Sequence, residues 1–186
     1  MLAFLDFEAS SLGKTSYPIE VAWVFEDGRS EAHLIRPAPQ WTDWDPQAEA
    51  VHGIARPMLE VDGMPHDSVA RRMIDVLGGH QLYASAPSWD GKWLSALLRA
   101  AGIPRHTIRL RDTDEARQAL ATELLCPVLE GAELERAVAR VLGHVRHVAE
   151  RQPVRHRALG DAERERQNWL LVGAIASEEK ERFLVR

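Results

Sequence analysis

Leu2 to Phe7 is a short apolar run that stops at Ala9-Ser-Ser-Leu-Gly13, the pattern of a strand ending in a turn. Leu2 and Phe4 share a face with Asp6 and Glu8, and Ala3, Leu5 and Phe7 take the other. Both faces are apolar at the start, which predicts a central strand covered on both sides. Pro18 to Phe25 alternates and predicts a second strand, Glu31 to Arg36 a third, and Asp27-Gly28 between them a hairpin turn. Pro37 to Pro46 reads as a loop, followed by a short helix ending near His52-Gly53. Ser68 to Leu77 predicts a helix closed by Gly78-Gly79, and Gln81 to Ala84 a fourth strand. Asp90 to Ala101 predicts an amphipathic helix with Trp93, Leu94, Leu97 and Leu98 inward. Thr107 to Leu110 reads as a fifth strand and Thr113 to Leu125 as a helix. Leu134, Val138, Val141, Leu142, Val145, Val148 and Ala149 keep a 3.6 period that Pro153 ends, and a last helix runs from about Asp161 to Ser177. A hairpin followed by strand–helix crossovers predicts an α/β fold with a mixed five-stranded sheet, and no linker divides residues 1–186, so one domain is expected.

The composition sets few further limits. A chain of 186 residues can bury a real core. With 45% hydrophobic and 27% charged residues it is neither collagen-like nor disordered. Its one cysteine excludes a disulfide framework and fits a reducing, cytoplasmic setting. No run approaches the roughly 20 apolar residues of a membrane span, and two acids interrupt the N-terminal apolar run, unlike a signal peptide. The net charge of −5 is not that of an obvious nucleic-acid binder.

The candidate chemistry lies in three places. Asp6 and Glu8 are two apart at a strand end, so their side chains point the same way, and a divalent cation is the usual offset for such a pair. An isolated Asp-x-Glu is more often two solvated acids. Asp90 opens a helix after the fourth strand, and Asp161 stands at the start of the last; either residue alone is a favoured N-cap. His156 precedes Asp161 by five residues. Histidine titrates near neutrality and suits proton transfer, although a lone one is usually a surface or packing residue.

Together, Phe4-Leu-Asp-Phe-Glu8, Asp90 and His156-Arg-Ala-Leu-Gly-Asp161 resemble the DEDDh 3′–5′ exonucleases, the ribonuclease T and polymerase III proofreading-subunit group of the ribonuclease-H-like fold. Val51-His-Gly-Ile54 matches a further recurrent segment and brings in His52. Trp89 keeps the aromatic that precedes the middle acid, but Ala86 stands where many members carry asparagine.

The resemblance implies a two-metal phosphodiesterase taking two Mg²⁺ or Mn²⁺ ions, the choice that hard oxygen ligands favour. Asp6, Glu8 and Asp161 would hold one ion, with Asp6 bridging to a second served by Asp90. His156 would take the proton of the attacking water. Ala9, Ser10 and Ser11 would meet the terminal 3′-hydroxyl, with His52 and Trp89 as further substrate contacts. The partner would be the 3′ end of single-stranded RNA or DNA, and the product a nucleoside 5′-monophosphate. Two such ions bring four positive charges, and an enzyme gripping a few terminal nucleotides needs few phosphate contacts. Arg136, Arg140, His144, His147 and Arg151 form a helical stripe that reads either as stems flanking the apolar face or as a phosphate rail. Trp41 and Trp44 either cover the core edge or stack a base. Many relatives dimerise, and the helix over residues 131–150 offers a surface for a homodimer. Two other readings use the same residues: a non-catalytic nucleic-acid-binding module on this fold, and a hydrolase of very short oligonucleotides.

Overall fold

A computed structural model describes residues 1–151 and 156–184. The expected break at Pro153 lies outside the described residues. The chain begins with β1 (Leu2–Ala9), β2 (Pro18–Phe25) and β3 (Ser30–Arg36). The β2–β3 turn is the expected hairpin, with Gly28 at φ 94 supplying the left-handed residue. Next come α1 (Pro46–His52), α2 (Arg56–Asp62), the two-residue β4 (Met64–Pro65) and α3 (His66–Leu77). The second half holds β5 (Gln81–Ala84), α4 (Pro87–Ala100), β6 (Leu110–Asp112), α5 (Thr113–Leu125), α6 (Gly131–Ala149) and α7 (Ala158–Leu184).

Among the described residues the strands form one mixed sheet in the order β4-β3-β2-β1-β5-β6. β1 is central, antiparallel to β2 and parallel to β5. Its odd residues Ala3, Leu5 and Phe7 pack with Val69, Met73, Trp93 and Leu97 of α3 and α4. Its even face carries Phe4 against Tyr83, Ala116 and Trp169, on the side of α5 and α7. Asp6 and Glu8 continue that second face beyond the apolar residues. A smaller core between α5, α6 and α7 is built on Leu125, Val138, Val141 and Val172. No helix among the described residues is long and apolar enough to cross a membrane.

Five elements depart most from the expected pattern, one of them α7, which runs over Ala158–Leu184 rather than from about Asp161 to Ser177. The sheet has six strands, because the two residues of β4 pair with the end of β3 at Ile35 and Arg36. A Cβ at Gly63 would stand 2.3 Å from Leu59 O and 2.7 Å from Arg36 N, so this close approach to β3 requires glycine. α2 carries proline in its first turn and buries only Leu59, which leaves almost no periodic signal. The fifth expected strand is displaced: Thr107 N and Oγ1 both turn back to Pro104 O, and pairing starts at Leu110. As an edge strand β6 tolerates Arg111 and Asp112, and Asp112 caps α5 by accepting from Asp114 N. α4 starts at Pro87 rather than Asp90, with proline in its first turn, where it costs no hydrogen bond.

Candidate metal centre and its surroundings

The site is assembled at one end of the sheet. The β1–β2 ladder shifts register after Glu8, which pairs with Glu20, so that Ala9 faces Pro18. Such irregularities at a strand end re-aim side chains. Asp90 and Asp161 each occupy the fourth residue of their helices, α4 and α7. Neither is an N-cap: Asp90 N donates to Ala86 O and Asp161 N to Arg157 O. Both carboxylates thus lie near the positive ends of helix dipoles, where negative charge is favoured.

The carboxylate oxygens of Asp6, Glu8 and Asp161 approach within 4.8 Å of one another. Asp90 lies outside this closest group but is the largest charge acting on Asp6. Burial pushes Asp6 well above the usual carboxylate range; Asp90, Glu8 and Asp161 add to the shift, and Arg164 opposes it. Glu8 is pushed up to about 7 by burial, then by Asp161 and Glu20. Asp90 also rises to about 7 through burial, although the backbone N–H groups of Ala86 and Phe7 hold it back. Asp90 Oδ2 is buried without a hydrogen-bond partner. Arg164 Nη1 is 3.0 Å from Asp161 Oδ1, an ion pair without hydrogen-bond alignment. Converging hard-oxygen donors that lack enough protein cations to neutralise them fit a divalent ion such as Mg²⁺ or Mn²⁺.

These shifts have a measurable consequence in the metal-free protein. An unfolded glutamate titrates near 4.5 and an aspartate near 3.8, whereas folded Glu8 and Asp90 reach about 7. Their neutral forms favour the folded state below the unfolded values, and that contribution is lost as pH rises through 7. Melting temperature in chelator is therefore expected to fall by several degrees between pH 5 and 8, with Mn²⁺ restoring it at pH 8. A rising profile in chelator would contradict the arrangement of the acids.

His156 is exposed and has φ 49, next to the start of α7. His52, the last residue of α1, is buried; its Nδ1 accepts from Ile54 N at 3.0 Å across the left-handed Gly53. That bond places the proton on Nε2, which is buried without a partner. Burial pulls His52 below the ordinary histidine value, Glu49 and Glu20 oppose this, and Arg157 and His156 add to the lowering. His52 and His156 are thus near enough to sense each other, on the side of the site marked by Glu20 and Arg157.

The loop after β1 is tightly held. Ser10 and Ser11 are buried, and both hydroxyls donate to Asp43. Ser10 Oγ also accepts from Tyr17 N. Ser16 Oγ accepts from Lys92 Nζ at 2.8 Å and Trp93 Nε1 at 3.0 Å, tying the loop to α4. Ala9 is buried as well, so the loop presents its exposed stretch from Leu12, itself 70% exposed, to Thr15. With Lys14, Trp89 and Lys92, Leu12 lines an open cleft of about 520 Å³. Trp89 is 39% exposed, with Lys92 Nζ 5.0 Å above its ring.

Trp41 stacks on Tyr17 at 5.1 Å, and Trp44 donates to Glu49 at 2.7 Å, so both belong to packing at the core edge. Arg136, Arg140, His144, His147 and Arg151 are all exposed, and Arg140 pairs with Glu179 of α7. The acid missed in the sequence is Glu20; its signal was a charge inside an otherwise apolar strand.

No family model and no curated protein matches the chain. Solved structures do. A zinc-bound E. coli exonuclease I–single-stranded DNA complex aligns with a TM-score of 0.64 at 14% identity, covering 99% of this chain and 42% of the other. E. coli exonuclease I with a dA16 oligonucleotide gives 0.65 at 14%, covering 99% and 43%. A moderately thermophilic exonuclease I from Methylocaldum szegediense gives 0.64 at 16%, covering 97% and 41%. The chain thus spans less than half the length of these proteins, and at such identities the likeness is one of fold: a mixed α/β sheet flanked by helices, ribonuclease-H-like in architecture.

Proposed function

We propose that this chain is a metal-dependent 3′–5′ exonuclease acting on single-stranded nucleic acid and releasing nucleoside 5′-monophosphates. The observation that carries the reading is the convergence of Asp6, Glu8 and Asp161 within 4.8 Å, with Asp90 the largest charge acting on Asp6. The fold it shares with exonuclease I structures supports it. Asp6, Glu8 and Asp161 would hold one Mg²⁺ or Mn²⁺, and Asp6 with Asp90 a second. Bound there, the ions would supply a water acidic enough to attack and charge to offset the leaving oxygen. The exposed His156 accepts the proton of that water. The backbone of Ala9, Ser10 and Ser11 flanks the terminal sugar; the two serine hydroxyls are engaged with Asp43 and hold the loop. His52 offers its unpaired Nε2–H to an oxygen of the substrate. Trp89 and Leu12 present apolar surface for a base, a contact worth about 1–3 kcal/mol for an aromatic.

Matched RNA and DNA oligonucleotides, incubated with Mn²⁺ or chelator, test this directly. Stepwise release of 5′-mononucleotides from a free 3′ end is expected only with the metal. A 3′-phosphorylated oligonucleotide should resist, and single strands should outpace blunt duplexes. Cleavage of a circular single strand would point to an endonuclease instead.

A further inference from the structure

Glu20 is a carboxylate in a strand whose every residue is buried, and it is itself 3% exposed. It sits directly across the ladder from Glu8. Another carboxylate beside a cluster of acids worsens their repulsion, so its position calls for a compensating role. Both its oxygens are committed to one segment. Oε1 accepts from Arg157 Nη2 at 2.6 Å, and Oε2 accepts from Arg157 Nε at 3.0 Å and from Ala158 N at 3.0 Å. Arg157 follows His156 directly, and Ala158 is the first residue of α7.

We propose that Glu20 and Arg157 form a clamp that positions His156 for proton transfer, an inference that rests on the nuclease reading above. A helix start leaves N–H groups unpaired, normally satisfied by a local Ser, Thr, Asp or Asn. Here an arginine stands before Ala158, and the acceptor comes from β2 instead. His156 has φ 49, a left-handed conformation that a non-glycine residue keeps only where its surroundings hold it. The bidentate Arg157–Glu20 pair fixes the next residue by two parallel bonds, a geometry that a lysine does not reproduce. Glu20 is therefore a positioning residue and no metal ligand: its lone pairs face α7.

Arg157 is the safer residue to change, since its side chain is 53% exposed. The test compares wild type, Arg157→Ala, Arg157→Lys, Glu20→Gln, His156→Ala and the His156→Ala/Arg157→Ala double variant. Each is assayed for kcat, KM, calorimetric Mn²⁺ affinity and melting temperature. Arg157→Ala and Arg157→Lys should lower kcat by roughly 10–100-fold, the scale of a misplaced catalytic group. KM and Mn²⁺ affinity should stay within about 3-fold, because the clamp acts through His156 rather than the acids. The double variant should be no slower than His156→Ala, since a residue acting through another adds nothing once that other is gone. Glu20→Gln, if it folds, should follow Arg157→Lys. Multiplying losses in the double variant, a wild-type rate for Arg157→Lys, or a loss of Mn²⁺ affinity matching that of kcat would each overturn the clamp while leaving the nuclease reading intact. A wild type that releases no nucleotide with Mn²⁺ would overturn the nuclease reading itself, and the clamp with it.

Discussion

Asp6→Asn should abolish metal-dependent hydrolysis while making the metal-free protein harder to melt at pH 8. Asparagine keeps the shape of aspartate and removes one negative charge from the point where Asp90, Glu8 and Asp161 all act. Without metal that charge is a burden, because burial and three like charges oppose it and only Arg164 helps. A relief on the order of 1 kcal/mol would raise the melting temperature by about 2–4 °C in a chain of this size. In the proposed metal site the same charge would help hold the ions. Its loss should cost at least about 10³-fold in turnover, which corresponds to about 4 kcal/mol of transition-state stabilisation. Melts at pH 8 with chelator and with Mn²⁺, alongside turnover, read both effects. A variant that melts lower than wild type in chelator, or that keeps its rate, would contradict the assignment.

His156→Ala should produce the complementary phenotype. His156 is exposed, so its removal leaves no cavity and little change in melting temperature is expected. The acids proposed to hold metal are untouched, so Mn²⁺ affinity should remain within a few-fold of wild type. Turnover should drop on the order of 10²–10⁴-fold, the usual contribution of a general base. Normal turnover would reject the catalytic role. Lost Mn²⁺ binding would make His156 a ligand.

The parts legible in the sequence were those governed by local rules. β5 and α5 begin and end where expected, because Gly78-Gly79 and Asp112 punctuate the chain on either side. The shared face of Asp6, Glu8 and Phe4 followed from strand alternation alone, and the structure places α5 and α7 over it. What stayed hidden depends on partners distant in the chain. β4 is a strand only because Gly63 lets it lie against Arg36. β6 reads as polar because one of its edges is free. Ser10 and Ser11 looked like turn hydroxyls open to a ligand; Asp43, more than thirty residues on, takes both. Glu20 finds its partners at Arg157 and Ala158, and no local pattern reports a pairing across 137 residues.

The burial of the acids under α7 also bears on when, on the proposed nuclease reading, the chain would gain its activity. Asp161 arrives on α7, which begins two residues after His156 and covers β1 and β2 with Ala158 and Ala162 fully buried. A chain interrupted during synthesis before His156 would carry Asp6, Glu8 and Asp90 yet lack Asp161, the proposed base and the counter-ion of Glu20. It would also expose the Phe4 face of the sheet, an apolar surface of the kind that marks an incomplete chain for removal. On the proposed nuclease reading the cutting centre would close only when α7 docks, which would leave a copy lacking that helix harmless to nucleic acid and conspicuous to quality control.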